Sequence, residues 1–192
     1  METVIRKRIA EHAAAVARLD DAQVATLAAA ARLLDATLAA GRRVYVCGNG
    51  GSAADAQHIA GELVGRYLRE RRALPCIALN ADTAILTCVG NDYQFDRVYA
   101  RQAEAFLGPG DTLWVLSTSG NSPNILAAVE VARCRGAKVL GFSGGDGGRL
   151  APLADVCFIA PATGSFAIQQ LHQVAYHVLC ELVEAAAAER EG

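Results

Sequence analysis

Apolar and polar positions change their spacing at about residue 40. From Glu2 to about Ala40, alanine and leucine recur at helical spacing, and the pattern breaks near Leu19-Asp20-Asp21. Apolar residues spaced in this way form one face of an amphipathic helix. The segment is therefore predicted to form N-terminal helices, and Gly41 stands where a glycine commonly ends a helix.

Short runs of β-branched and other apolar residues follow, separated by helical stretches. Their near-continuous apolarity predicts strands that are covered on both faces, as in a parallel α/β sheet. The predicted strands are 43–48, 76–80, 112–117, 138–144 and 156–160. The predicted helices are 52–70, 92–107, 122–136, 147–153 and 166–189. The fold class predicted for residues 1–192 is a single α/β domain with a doubly wound, flavodoxin-like five-stranded parallel sheet, flanking helices and the N-terminal helices.

Ligands of such sheets bind beyond the carboxyl ends of the strands, where the strand order reverses. With the flavodoxin-like order 2-1-3-4-5, the reversal lies between the first and third strands. The loops that leave these strands read GNGGS (48–52) and STSGNS (117–122), and they are the two loops richest in glycine and serine. The sequence therefore predicts a ligand site between them.

The STSGNS loop has the features of a phosphate site. Ser122 followed by Pro123 is typical of a helix N-cap and first turn, where free N–H groups and the helix dipole favour an anion. Ser117, Thr118 and Ser119 add hydroxyl groups just before it. The alternative is a capped turn with solvated hydroxyls, but the cluster as a whole favours phosphate.

The GNGGS loop also precedes a predicted helix. Ser52 as N-cap and Asp55 three residues later match a capping box. Asn49 and the backbone amides of Gly50 and Gly51 are candidates to contact sugar hydroxyls. The stretch 48–53 also fits a loose dinucleotide-binding pattern, G-x-G-x-x-A. That alternative is disfavoured because the second predicted strand ends in Asn80 and not in an acidic residue.

Two helices carry groups that move protons or hold metals. His58, Glu62 and Arg66 are four residues apart, so they are predicted to lie on one stripe of a helix. The alternative is a solvated stripe with i,i+4 pairs, each worth a few tenths of a kcal/mol. The last helix carries His172 and His177 among apolar residues. A lone helical histidine is more often structural, but two are harder to explain in that way.

Composition and charge exclude several classes of protein. Of the 192 residues, 53% are hydrophobic and 20% charged, which indicates a folded domain. The net charge of −2 gives no electrostatic reason to expect nucleic acid or an acidic membrane surface as partner. The six cysteines show no paired spacing, which disfavours disulfides and a cysteine zinc site. With neither a signal peptide nor a membrane-length apolar run, we expect a cytoplasmic protein.

Four stretches carry a resemblance to a known family. They are GNGGSAADAQHIAGELVGR (48–66), LTCVGNDYQFDRVYARQ (86–102), STSGNSPNI (117–125) and IQQLHQVAYHVLCELVE (168–184). The chain resembles the SIS (sugar isomerase) domains and, within them, the phosphoheptose isomerases. The resemblance covers nearly the whole chain, and residues 1–40 correspond to the helices that help to build the family's tetramer.

The resemblance implies a ketose–aldose isomerase acting on sedoheptulose 7-phosphate, with one zinc ion per subunit and sites near subunit interfaces. Glu62 and His177 match the acid–base pair. The positions matching the zinc site are His58, Glu62, Gln169 and His177. The positions matching substrate contacts are Asn49, Gly50, Gly51, Ser52, Glu62, Arg66, Asn91, Asp92, Ser117, Thr118, Ser119, Ser122 and Gln169. Members of this family usually supply ADP-heptose for surface polysaccharide.

Some features depart from the family pattern. Gly164 stands where the family commonly has an acid, Ala167 where it has a cation, and Gln170 where it has glutamate. On a straight helix Gln169 and His177 lie about 12 Å apart, whereas zinc–ligand bonds are about 2 Å long. Both can serve one ion only if their side chains lean toward each other, if the helix begins late, or if two subunits contribute. We favour a site at a subunit interface. The alternative function is a non-catalytic SIS module that binds a phosphosugar or a replication-initiator partner.

Overall fold

The computed structural model describes residues 1–190 and begins with two helices, α1 (Glu2–Val16) and α2 (Asp21–Ala39). Asp20 separates them because its carboxylate accepts from the N–H groups of Ala22 and Gln23. In turn, the backbone N–H of Asp20 donates to Oε1 of Gln23. This capping box fixes the start of α2. Gly41 follows α2 with φ of 69°, so the predicted break and the predicted stop are confirmed.

Five strands form one sheet in which every neighbouring pair is parallel. They are β1 (Val44–Gly48), β2 (Cys76–Ala78), β3 (Thr112–Leu116), β4 (Lys138–Gly144) and β5 (Val156–Ala160). The order across the sheet is β2-β1-β3-β4-β5. The predicted flavodoxin-like order is confirmed, and the reversal lies between β1 and β3.

The remaining helices cover both faces of this sheet. They are α3 (Gly51–Val64), α4 (Thr83–Asp92), α5 (Ala100–Phe106), α6 (Pro123–Cys134) and α7 (Ser165–Glu189). Short 3-10 turns lie at Phe95–Arg97 and Ala151–Leu153. Within residues 1–190 we find no helix with both the length and the apolar character needed to cross a bilayer.

Three predicted helices are wrong in extent. The predicted helix 52–70 ends at Val64, and the predicted helix 147–153 shrinks to the second 3-10 turn. In place of one helix over 92–107 there are the first 3-10 turn and α5, and α4 precedes them in a stretch where no helix was predicted. The sequence does contain a signal for α4, because Asp82 caps it by accepting from the N–H of Ile85.

The strands bury side chains on both faces, and alternate residues enter different cores. Val44 and Val46 of β1 belong to the core beneath α2, α3 and α7. Tyr45 and Cys47 belong to the core beneath α5 and α6. All four are at most 2% exposed, which explains the absence of polar alternation in the strand sequences.

A buried carboxylate fixes the segment that follows α3. Glu184 of α7 is 1% exposed. It accepts from the backbone N–H groups of Tyr67, Leu68 and Arg69 at 2.8, 2.6 and 2.8 Å. Burial alone would raise the pKa of Glu184, but the three N–H groups and Arg71 stabilise the carboxylate and hold its pKa below 4.5.

Arg71 completes this arrangement. Its guanidinium lies 3.5 Å from the Glu184 carboxylate, and both side chains are at most 1% exposed. It also donates to the carbonyl oxygens of Glu62 and Gly65 at 2.8 Å, where α3 ends. Arg71 therefore joins the C-terminus of α3 to α7.

Replacing Glu184 with Gln is expected to lower the free energy of unfolding by about 3 kcal/mol, because it leaves the buried Arg71 without its counter-charge. Chemical denaturation would measure this, with Glu181→Gln as control because Glu181 is exposed on the same helix. The wild-type advantage should be complete above pH 4.5 and should disappear as the pH falls through the lower folded-state pKa. Equal stability of the two variants would contradict this role.

Candidate active site

The carboxyl ends of β1 and β3 border a cavity of about 290 Å³. Gly48 pairs with Leu116 at this edge of the sheet, so the two glycine- and serine-rich loops leave side by side. The predicted residues that line the cavity are Asn49, Gly50, Gly51, Ser52, Ser117, Thr118, Ser122 and Gln169. The predicted meeting of the two loops is confirmed.

Glycine makes the turn into α3 possible. Gly50 is the N-cap with φ of 55°, and α3 begins at Gly51. A Cβ atom on Gly51 would lie 2.7 Å from Nε2 of Gln169. An alanine there would therefore displace the side-chain amide of Gln169 from this turn.

The predicted capping box at this turn is wrong. Ser52 lies inside α3 and makes no capping bond. Asp55 is 5% exposed, and its Oδ1 accepts from Nε2 of Gln173 at 3.3 Å. The helix starts before Ser52 because Gly50 adopts the left-handed conformation, and Asp55 turns toward α7 instead of back to the turn. Burial raises the pKa of the Asp55 carboxyl.

Paired amides join the two loops. Nδ2 of Asn49 donates to Oδ1 of Asn124 at 2.9 Å, and Nδ2 of Asn124 donates to Oδ1 of Asn49 at 2.8 Å. Asn124 is 2% exposed and lies in the first turn of α6. The side-chain amide of Asn49 therefore lines the cavity with one N–H of Nδ2 and one acceptor position of Oδ1 already in use. Asn124 was not among the residues predicted from the sequence, although its position directly after Ser122-Pro123 was an available signal.

The STSGNS loop presents hydroxyl groups at the start of α6. Ser122 is the N-cap and Pro123 follows it, as predicted. Ser122 makes no side-chain capping bond, and its hydroxyl lies 3.1 Å from that of Ser117. Ser119 differs from the other hydroxyl residues because it does not line the cavity, and its hydroxyl accepts from the N–H of Asn121 at 3.1 Å.

The first turn of α7 contributes another hydroxyl. Ser165 lines the same cavity, and its hydroxyl lies 3.4 Å from that of Thr118. Ser165 was not among the predicted site residues, because α7 was predicted to start at 166. The preceding Gly164, with φ of 83°, was the signal that a helix begins there.

A second cluster lies farther along the same helices. Nε2 of His58 is 2.9 Å from Oε1 of Glu62, and the rings of His58 and His177 have centroids 5.0 Å apart. One ligand atom from each of these three residues lies within 4.8 Å of the others. Because His177 joins from α7, the cluster is more than a solvated i,i+4 pair, and one chain supplies all three residues.

This donor set fits a zinc ion. Two imidazole nitrogens and one carboxylate are a known ligand set of catalytic zinc sites, which keep a further position for substrate or water. Gln169 lies at the cavity, against Gly51, and its role as a ligand stays a prediction.

The cavity and the cluster of His58, Glu62 and His177 are linked by the parallel packing of α3 against α7. Contacts join Gly51 to Gln169, Asp55 to Gln173 and His58 to Tyr176, so the two helices advance together. Seven residues separate Gly51 from His58, which is about 10 Å along a helix. The site is therefore elongated, with the cavity at one end and the His58–Glu62–His177 cluster at the other.

Besides Ser119 and Glu62, three more predicted substrate residues do not line the cavity. Arg66 follows the end of α3 and is exposed, so it does not share the helical stripe of His58 and Glu62. Asn91 and Asp92 are exposed at the end of α4, where Nδ2 of Asn91 donates to Asp92 at 2.8 Å. Their contacts with substrate stay predictions.

His172 has a structural role. It is fully buried, and its Nε2 donates to the carbonyl oxygen of Ser143 at 3.0 Å. Burial lowers the pKa of His172 to about 4, although this hydrogen bond acts in the opposite direction. The imidazole is therefore neutral at physiological pH and holds α7 against β4.

Comparison with known proteins identifies the family to which this chain belongs. The SIS domain profile matches residues 9–144. The chain is 50% identical to a phosphoheptose isomerase of Rhodospirillum rubrum, over 96% of this chain and 97% of that protein. The chain belongs to the phosphoheptose isomerase family. A relative of the same name from Aliarcobacter butzleri is 44% identical over 96% of the chain.

Solved structures of phosphoheptose isomerases have the same fold. One from Neisseria gonorrhoeae superposes with a TM-score of 0.89 at 36% identity, covering 95% of this chain and 98% of that one. One from Francisella tularensis gives 0.92 at 35% identity, covering 95% and 97%. The chain is thus an isomerase with a SIS fold, and the alternative of a non-catalytic module is not favoured.

Replacing Asn124 with Ala is expected to weaken sugar-phosphate binding about tenfold, because the bonds that hold the two loops together are lost. Calorimetry with a sugar phosphate would measure this. Gln102→Ala is a matched control, since Gln102 is a buried amide on α5 that bonds the carbonyls of Leu79 and Val98. An Asn124→Ala protein that folds and binds as tightly as wild type would contradict the positioning role.

Proposed function

We propose that this isomerase converts sedoheptulose 7-phosphate to D-glycero-D-manno-heptose 7-phosphate through an enediol. The observation that carries the proposal is the elongated site, with a hydroxyl-rich cavity about 10 Å along α3 from an imidazole–carboxylate cluster. Such a site suits a long sugar with phosphate at one end and reacting carbons at the other. The names of the full-length relatives support the same substrate.

In this proposal the cavity binds the phosphate. Ser117, Thr118 and Ser122 offer hydroxyl donors, and the N-terminus of α6 adds a favourable dipole. Binding energy gained at the phosphate, remote from the reacting carbons, then orients C1 and C2. Asn49 and the Gly50–Gly51 amides contact hydroxyl groups along the sugar chain, and Arg66, Asn91 and Asp92 are further proposed substrate contacts.

Glu62 is the proposed base. Its carboxylate takes a proton from C1, the C1–H electron pair forms the C1=C2 bond, and the C2 carbonyl oxygen becomes a hydroxyl. Glu62 then returns the proton to C2 while the O1 hydroxyl loses its proton, which gives the aldose. The Glu62 side chain is half-buried beside His58, so it is accessible to substrate.

His177 is the proposed partner that exchanges protons with O1 and O2. Its Nδ1 donates to the carbonyl oxygen of Gln173 at 2.8 Å, which leaves Nε2 for the site. One nitrogen cannot hold a metal and exchange a proton at the same time. His177 would therefore exchange protons only while its Nε2 is not coordinated to a metal.

We propose zinc as the resident metal, at one ion per subunit, with His58, Glu62, Gln169 and His177 as its ligands. When bound, it would polarise the substrate carbonyl and stabilise negative charge on the adjacent oxygens. The imidazole and carboxylate donors support zinc because they are among its preferred ligands.

We further propose a homotetramer with the sites near subunit interfaces, built in part by residues 1–40. Exposed apolar side chains support this, because α1 carries Val4, Ile5 and Ile9 at 61%, 52% and 64% exposure. Light scattering is expected to give four times the chain mass, and Ile5→Glu with Ile9→Glu should dissociate the assembly. A monomeric wild-type protein would contradict this proposal.

We expect the protein to act in the cytoplasm, where its product would enter ADP-heptose synthesis for lipopolysaccharide. The free state of all six cysteines fits a reducing compartment.

The decisive experiment incubates the purified protein with sedoheptulose 7-phosphate, with and without zinc. We expect an aldoheptose 7-phosphate, with kcat at least a thousandfold lower in Glu62→Gln because the variant lacks the base. Glu181→Gln is the control for an exposed glutamate. Stimulation by one equivalent of zinc would support the metal role, and inhibition would mean that the ion occupies Nε2 of His177. A folded, zinc-loaded wild type without turnover would contradict the proposed substrate.

A further inference from the structure

The orientation of the His58 ring is fixed by groups outside the three-residue cluster. Its Nε2 is 2.9 Å from Oε1 of Glu62. Its Nδ1 is 3.0 Å from the hydroxyl oxygen of Tyr176 on α7. The nitrogen that faces the other proposed zinc ligands is therefore Nε2, and Nδ1 faces the packing between α3 and α7.

A neutral imidazole carries a single proton, which constrains the direction of these bonds. If Nε2 donates its lone pair to a metal, the proton must be on Nδ1, where it needs an acceptor. The Tyr176 oxygen is the atom in position to accept it. The hydroxyl hydrogen of Tyr176 must then be donated to another group.

Asp55 supplies that acceptor. Its carboxyl interacts with the Tyr176 hydroxyl, and Nε2 of Gln173 donates to its Oδ1 at 3.3 Å. Tyr176 is fully buried and Asp55 is 5% exposed, so water does not readily replace either partner. In this arrangement Nδ1–H of His58 would donate to the Tyr176 oxygen, and the Tyr176 hydroxyl would donate to the Asp55 carboxylate.

We propose that Asp55 and Tyr176 are positioning residues that keep the proton of His58 on Nδ1 and so present Nε2 to zinc. The inference rests on the proposed metal site and extends it to residues that touch neither metal nor substrate. Metal-ligating histidines in general donate their second N–H to such a partner, and loss of the partner costs 10–100-fold in metal affinity.

If the hydrogen bond between His58 and Tyr176 ran in the opposite direction, His58 could not bind zinc through Nε2. If Tyr176 donated to Nδ1, the proton of His58 would be on Nε2 and would point at Glu62. Asp55 opposes that arrangement because it competes for the same hydroxyl hydrogen. A carboxylate accepts hydrogen bonds more strongly than a neutral ring nitrogen does.

The test compares zinc affinity of the wild type, Tyr176→Phe and Asp55→Asn by competition with a chromophoric chelator. We expect Tyr176→Phe to bind zinc at least tenfold more weakly, and Asp55→Asn to lose less because its amide oxygen still accepts. Tyr45→Phe is the matched control. Tyr45 is also buried, and its hydroxyl donates to the Phe106 carbonyl at 3.2 Å on the other face of the sheet.

Nitrogen-15 NMR of the zinc-loaded wild type gives a second, independent readout, with the expected proton on Nδ1 of His58. Unchanged zinc affinity in both Tyr176→Phe and Asp55→Asn would overturn the inference while leaving the zinc site intact. Zinc bound through Nδ1 would also overturn it. A wild type that does not bind zinc would overturn the metal site itself, and the inference with it.

Discussion

The parallel packing of α3 against α7 is the constraint on which the site depends. At one end, Gly51 lacks a side chain, which lets Gln169 of α7 approach the first turn of α3. At the other end, Arg71 and Glu184 join the C-terminus of α3 to α7 inside the protein. Between these fixed points His58, Glu62 and His177 come together without any loop contributing a ligand atom. Sites held by rigid helices are positioned more accurately than sites on loops.

Much of the fold was predictable because its signals are local. The apolar runs at 43–48 and 112–117 predict buried parallel strands, and glycine–serine loops follow both. Strand order then follows from the few topologies that such alternation allows. The same reasoning correctly placed a cavity between the loops. The resemblance of four stretches to one family added the identity of His58, Glu62 and His177 as neighbours.

The errors arose where distant contacts decide the structure. The end of α3 at Val64 has a local signal in Gly65, its C-cap, but it also depends on Arg71, which bonds the carbonyls of Glu62 and Gly65 and is itself held by a residue of α7. Asp55 fits a capping box by spacing, yet its partners lie on α7. Asn124 was missed for a related reason: its partner Asn49 is 75 residues away. Which polar residues are buried, and which groups they bond, depends on tertiary packing that local sequence patterns do not reveal.

Three consecutive backbone N–H groups at 67–69 converge on one carboxylate. This is the arrangement with which backbone concavities capture free phosphate or sulfate from solution. Here the anion is part of α7, so it is always present at high local concentration and cannot diffuse away. It is also shielded from counter-ions, which screen buried charges much less than exposed ones. The segment that carries Tyr67, whose ring lies 5.6 Å from that of His177, is thereby held by a charge inside the protein and not by an anion from solution.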